Sequence, residues 1–469
     1  MPLWKLSAAD LGRAFRAGRC TPEDALDAIL ARVALVNPRL NAIVTLDEAG
    51  ARAAARASAS RFASGAPLGP LDGVPVTVKD NIAVAGLRAT WGSRLFADHV
   101  ATLDELPIAR LRAAGAVILG KTNTPEFAMV GHTDNLLFGL TRNPWDTTRS
   151  AGGSSGGAVA AVAAGCGPLA IGTDGGGSIR RPASHAGLVG LKPSRGRVPR
   201  ADGLPAIFLD YEVAGPIART VEDVVLAMQV MSPPHPRDGA SQAFARQPFE
   251  VPAVAPRRRV LHIETFGDAP VDPEIAQRTR EAADALRTLG HSVDTAARFD
   301  IPNEVNARWM SLSQAGLAEM LAHKTAWREL LTPAAIANAD AGRTLPATAL
   351  FELLRLVDDM KSRLGEVFAD HDLLLTPAAA ALPWPADQTH PTRIAGREVG
   401  PRGHALFTGF VNAAGLPAIA LPCAPSATGL PNGIQLIARW GDDGALCAVA
   451  QGYASRFPWQ HRWPALTAD

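Results

Sequence analysis

"SAGGSSGGAVAAVAAGCGPLAIGTDGGGSIRRPA", residues 150–183, carries two glycine loops, each with a serine, joined by a helix and a strand. Alone, the first loop reads equally as a flexible linker, an anion cradle or the seat of a reactive serine. The residues after it decide. "AVAAVAAG" (158–165) is alanine-rich and suits a helix lying close against a sheet, and "PLAIGTD" (168–174) reads as a strand running into the second loop. Three glycines, Gly175, Gly176 and Gly177, then precede Ser178, which lies 24 residues after Ser154.

The same alternation runs through the chain. "VPVTVK" (74–79), "AVILG" (116–120), "RVLHI" (259–263), "HSVDT" (291–295), "DLLLTP" (372–377), "AIALP" (418–422) and "GIQLIA" (433–438) read as strands. Helices separate them. Ser7 caps one, and Thr21-Pro22-Glu23 starts another that carries Leu26, Ile29, Leu30 and Val33 on one face. Asp272-Pro273-Glu274 starts a third that ends at Gly290. The fold class expected is α/β, with a large mixed, mostly parallel central sheet covered by helices. Length alone suggests roughly three domains of about 150 residues. No repeat, low-complexity tract or linker divides the chain, so one domain over 1–469 is expected, with a helical N-terminal segment (1–65), a core at 70–220 and a helical region near 300–370 that can rim a substrate.

Composition removes several function classes. Forty-six Lys plus Arg against 45 Asp plus Glu create no field that would favour nucleic acid. No apolar run is long enough for a bilayer, and "MPLWKLSAADLGRAF" lacks the parts of a secretory signal. Four separated cysteines, Cys20, Cys166, Cys423 and Cys447, form no CxxC pair, which argues against a disulfide framework or a cysteine zinc site. A cytoplasmic protein without metal is expected.

Two motif matches fail on context. "GAVILGKT" (115–122) fits the phosphate-loop pattern by letter, yet its variable positions are strand residues and Pro125 follows closely. Gly152 to Gly156 fits the G-x-S-x-G elbow around Ser154, but polar, turn-like "NPWDTTRSA" precedes it where a strand is required.

Taken together, "GVPVTVKDNI" (73–82), "GKTNTPEFA" (120–128), "FGLTRNPWD" (138–146), "GGSSGGA" (152–158), "GTDGGGSIRRPA" (172–183) and "GLVGLKPSRGRVP" (187–199) resemble the amidase signature family in content and order. The likeness continues more weakly through "GPIARTVED" (215–223), "AGLPAIALP" (414–422) and "GLPNGIQLIA" (429–438). The resemblance implies the amidase signature fold and a stand-alone amidase that needs no cofactor. It implies Ser178 as nucleophile, Ser154 as a bridging serine on a cis peptide bond, and Lys79 as base. Chemistry agrees: a buried lysine at a strand end loses its charge readily, and a hydroxyl can relay a proton between two partners. Taken alone, Lys79 would read as a snorkelling lysine or one paired with Asp80.

The backbone N–H groups of Gly175, Gly176, Gly177 and Ser178 are expected to form an oxyanion hole. Ser155, Asp174 and Arg180 are expected to support the loops. Met129, Gly131, His132 and Phe208 are expected near the substrate, with Phe127 adding to an apolar pocket. Two departures from the family pattern stand out: Gly175 replaces a bulky or hydroxylic residue, which predicts a more flexible loop, and Ala151 replaces a frequent proline. In the glutamine-hydrolysing subunit of the tRNA-dependent amidotransferase, an aspartate commonly stands where this chain has Ala405. The expected partner is a small aryl or aliphatic amide, carbamate or ester. That glutamine amide and an esterase built on Ser154 remain as alternatives, and a homodimer stays open.

Overall fold

The computed structural model describes residues 1–466, so the last three positions of the expected 1–469 domain lie outside the described residues. Eleven strands form one sheet: β1 Ile43–Leu46, β2 Pro75–Lys79, β3 Val117–Thr122, β4 Leu169–Asp174, β5 Val189–Lys192, β6 Val213–Ala218, β7 Arg259–Ile263, β8 Ser292–Ala296, β9 Leu373–Pro377, β10 Ala418–Pro422 and β11 Gly433–Ala438. Across the sheet they run β1-β3-β2-β4-β6-β5-β10-β11-β9-β7-β8. Every residue of β2 to β6 and of β9 to β11 is buried, as in strands covered on both faces. The edge strands β1 and β8 are partly exposed. Fourteen α-helices lie among the described residues. No described helix is long and apolar enough to cross a membrane.

The expectation of a mostly parallel sheet fails in the middle. Parallel pairing is confined to β3-β2-β4 on one flank and β9-β7-β8 on the other. Every pairing from β4 through β6, β5, β10 and β11 to β9 is antiparallel, as is β1 with β3. The cause is local. Strands β4 and β5 are joined by the short helix Arg180–Ala186, as in a parallel βαβ unit. Strand β6 inserts between them and runs against both.

The helix Gly156–Ala164 is buried on all sides and packs through small side chains. A Cβ on Gly157 would lie 2.3 Å from the Asn123 nitrogen and 2.7 Å from the Ala42 oxygen, so only glycine lets this helix approach β3 and the end of β1 so closely. The N-terminal helix Pro22–Leu40 starts at a capping box between Thr21 and Asp24, and it buries Leu26, Ile29, Leu30 and Val33 against Val117 and Leu119 of β3. Lys121, the lysine of the phosphate-loop match, is a buried residue inside β3 and has no loop around it.

Replacing Gly157 by valine is expected to destabilise the protein by about 1–3 kcal/mol or more, because the collision is with backbone that has little room to yield. A urea melt of Gly157→Val that matches wild type would show that the helix can shift outward.

Candidate active site

Strands β2 and β4 are parallel neighbours, with Val78 opposite Ile171, so both deliver their C-terminal residues to the same edge of the sheet. Lys79 ends β2. Thr173 and Asp174 end β4, and Ser178 follows in the loop before the helix Arg180–Ala186. Ser154 comes from the loop between the small hairpin strand Asp146–Ser150 and the helix Gly156–Ala164. The peptide bond between Gly153 and Ser154 is cis.

The Lys79 ammonium donates to Ser154 Oγ at 2.8 Å and to Thr173 Oγ1 at 2.9 Å. Ser154 and Ser178 line one narrow cleft. The two loops are tied by the Ser155 N–H, which donates to the Ser178 carbonyl at 3.1 Å, while Ser155 Oγ donates to the Thr173 carbonyl at 3.3 Å. Buried histidines near these loops are engaged elsewhere: His132 with Ser150, His185 with the Ala381 carbonyl, and His404 with Arg181.

Three lysines are fully buried, and geometry separates them. Lys121 donates to the Ile82 carbonyl at 2.6 Å and lies 3.8 Å from Asp80. Lys192 donates to the Pro193 carbonyl at 2.7 Å. Only Lys79 has serine and threonine hydroxyls for its partners. Asp80 therefore belongs to Lys121 and not to Lys79, and it also accepts from Thr90 and Gly92. Burial pushes Lys79 down to about 7; the Glu212 and Asp174 carboxylates oppose that shift and Arg200 adds to it.

The glycine run is held more firmly than a run of glycines suggests. Its carbonyls all point outward into bonds. Asn412 donates to the Asp174 oxygen at 2.7 Å, Trp309 to Gly175 at 2.9 Å, Thr408 to Gly176 at 2.8 Å and Arg181 to Gly177 at 3.3 Å. The flexible loop expected from Gly175 is thus replaced by a pinned one. The missing side chain makes room instead: a Cβ on Gly175 would stand 3.2 Å from the Phe208 ring.

One expected oxyanion donor is already engaged. The Gly177 N–H donates to Asp174 Oδ1 at 2.7 Å. The N–H groups of Gly175, Gly176 and Ser178 carry no hydrogen bond to another described residue. Asp174 also accepts from the Ile179 N–H and pairs with Arg180 at 2.8 Å. Burial alone would raise Asp174, but the Arg180 guanidinium and Lys192 hold it well below the usual carboxylate range. Arg180 reaches further, to Gln435 and Asn412 at 2.6 Å each, so its donors are occupied inside the protein.

Of the expected substrate contacts, Met129 and Phe208 line the cleft. Gly131 and His132 do not. Gly131 backs onto His404 and Arg181, where a Cβ would come within 2.5 Å of the His404 ring, and His132 is buried against Ser150. Phe127 turns away to stack edge-on with Trp91, 5.6 Å between centroids. Sequence reasoning missed Arg181, Glu212, Trp309, Met310 and Arg402 in the cleft wall. Trp309 and Met310 fall in the helical stretch near 300–370, and the doubled arginine after Ser178 was a signal left unused for Arg181. Arg402 had none.

The family model "Amidase" matches residues 24–447. The chain is 36% identical to the acylamidase of Rhodococcus erythropolis, over 98% of this chain and 97% of that protein. It is 33% identical to a glutamyl-tRNA(Gln) amidotransferase subunit of Roseiflexus sp. (strain RS-1), over 100% of this chain and 99% of the relative. The solved structure of 6-aminohexanoate cyclic dimer hydrolase complexed with substrate superposes with a TM-score of 0.88 at 30% identity, covering 99% of this chain and all of that one.

A lysine shifted from 10.5 to about 7 makes stability depend on pH. Between those values unfolding takes up a proton, so the wild type gains stability as pH rises through this window. Below about 7 the lysine is charged and buried, at full cost. Lys79→Met should therefore be more stable than wild type near pH 7, and the gap should narrow by about 1.4 kcal/mol per pH unit toward pH 10. Urea melts at three pH values measure it; a constant gap would mean that Lys79 stays protonated in the fold.

Proposed function

The chain belongs to the amidase family, and from that premise we propose that it hydrolyses small amides through an acyl-enzyme on Ser178, with Lys79 as base acting through Ser154. The observation that carries this reading is the 2.8 Å bond from Lys79 to Ser154, whose hydroxyl shares the cleft with Ser178. Ser178 Oγ attacks the amide carbonyl carbon as its proton passes to Ser154 Oγ, and the Ser154 proton passes to neutral Lys79. The carbonyl oxygen, now an oxyanion, lies against the N–H groups of Gly175, Gly176 and Ser178. The C–N bond then breaks. The leaving nitrogen takes a proton from Ser154, which recovers one from Lys79. Water repeats the sequence on the acyl-enzyme, releasing the acid and restoring Ser178.

Met129, Phe208, Trp309 and Met310 give the cleft an apolar wall, which suits an aryl or aliphatic acyl group; carbamates and esters of that shape fit the same chemistry. In this reading the helical stretch near 300–370 contributes the substrate rim, and the enzyme works in the cytoplasm as a monomer or homodimer. Hydrolysis of glutamine's amide has the Roseiflexus relative in its favour. Against it stands Ala405, which offers no carboxylate to glutamine's amino group. An esterase built on Ser154 lacks its histidine, since that hydroxyl is paired with Lys79.

A fluorophosphonate probe should label Ser178, and peptide mass spectrometry should find the adduct lost in Lys79→Ala. An adduct on Ser154 would exchange the roles of the two serines. Ser154→Ala should lower kcat by about 10²–10⁴-fold with the fold retained. Because the base works only when neutral, kcat/KM should rise as pH increases through about 7, where Lys79 loses its proton. A flat profile across that range would count against the lysine.

A further inference from the structure

Every acidic side chain lining or abutting the catalytic cleft has a cationic partner, but two of its cations have no acid. Asp174 is paired with Arg180. Glu212 accepts from Asn81 at 2.9 Å and lies 3.6 Å from Arg200. Arg181 and Arg402 line the same cleft as Ser178, and neither forms an ion pair with a described residue.

The two arginines differ in how they are held. Arg181 is 3% exposed, and it uses Nε on the Gly177 carbonyl and one terminal nitrogen on His404 Nε2 at 3.2 Å. Burial and the two arginines keep His404 neutral, so its Nε2 accepts and orients the Arg181 guanidinium. Arg402 is half-buried, and its guanidinium makes no hydrogen bond to any described residue. Its Nη2 lies 3.6 Å from the position a Cβ on Gly176 would take, beside the expected oxyanion donors. The arginines also oppose each other: burial lowers Arg181 to about 9, with Arg402 contributing, and burial lowers Arg402 to about 10. Two guanidiniums with donors to spare, placed together beside an apolar wall, form a fork suited to a planar anion.

We propose that this cleft selects amides that also carry a carboxylate, bound by Arg402 and Arg181, with a short apolar spacer enclosed by Phe208, Trp309 and Met310. The proposal rests on the amide-hydrolase reading above and narrows it. The carboxylate can belong to the acyl part, as in the monoamide of a dicarboxylic acid, or to the amine part, as in an N-acyl amino acid.

Two matched pairs separate these sources: adipamate against hexanamide, and N-hexanoylglycine against N-propylhexanamide. The anionic member of one pair should be preferred by about 10²-fold in kcat/KM, since without it the spare donor of buried Arg181 stays unpaired and Arg402 has no anion to hold. In Arg402→Gln, chosen because that side chain holds nothing else in place, the preference should collapse toward unity. Calorimetry on Ser178→Ala should show the same ranking in affinity without turnover. Equal kcat/KM within both pairs, changed alike by Arg402→Gln, would overturn the anion site and leave amide hydrolysis standing. Turnover of none of the four compounds, with no fluorophosphonate adduct on Ser178, would remove the hydrolase reading. Failure of Ser178→Ala to bind either anion more tightly than its neutral partner would overturn the anion site whatever the turnover.

Discussion

The buried pair of Asp174 and Arg180 is the constraint on which the rest of the site depends. A charge pair out of water is favourable only when the remaining donors and acceptors are matched, and here they are. The carboxylate takes the N–H groups of Gly177 and Ile179 together with Asn412 Nδ2, and the guanidinium reaches Gln435, Asn412 and the Thr408 carbonyl. One pair thus fixes the loop before Ser178 and joins β4 to β11 and to the helix Gly409–Ala413. With Gly177 N–H turned to Asp174, the N–H groups of Gly175, Gly176 and Ser178, residues that line the cleft, carry no hydrogen bond to another described residue. The loop owes its shape to these bonds, because glycines supply none of their own.

Burial does a second job at Lys79. Desolvation disfavours an ammonium, and the nearby carboxylates of Glu212 and Asp174 work against that. The outcome near 7 is a balance, with Arg200 weighing on the side of the neutral amine. Lys192 is driven equally low by burial but faces a backbone carbonyl, so it has no hydroxyl to activate. A shifted lysine is therefore common property of this core; what singles one out is the hydroxyl in front of it.

Much of this was legible in the sequence. Thr21 and Asp272 start helices as their side chains demand, and β7, β9, β10 and β11 fall where apolar runs placed them. Motif order grouped Lys79, Ser154 and Ser178, and the fold bonds Lys79 to Ser154 and places both serines in one cleft. Local geometry also explains why Asp80, the residue just beyond the end of β2, is not the partner of Lys79: neighbours in extended chain point to opposite sides, and Asp80 turns to Lys121 on β3. Other features had no local signal. That β6 slips between β4 and β5 depends on pairing across the sheet. Arg402 lies far from Ser178 in sequence, in an unremarkable "GPRGHALF", and only the folded chain brings the two together.

The reach of Arg180 to Gln435 spans 255 residues. At roughly 5–20 residues per second, a ribosome makes Arg180 about 13–50 s before it makes Gln435. Trp309 emerges about halfway through that interval, and Thr408 and Asn412 only near its end, so for most of it the arginine lacks both Asn412 and Gln435 and the loop carbonyls lack Thr408. The segment bearing Ser178 thus emerges early but acquires its final shape late. The shape of this loop is a property of the completed chain: a nascent chain truncated before Gly409 lacks Asn412 and Gln435, and with them part of the bonding that organises the segment before Ser178. Long-range closure of this kind slows folding, and it also delays the moment at which the Ser178 loop takes its final shape.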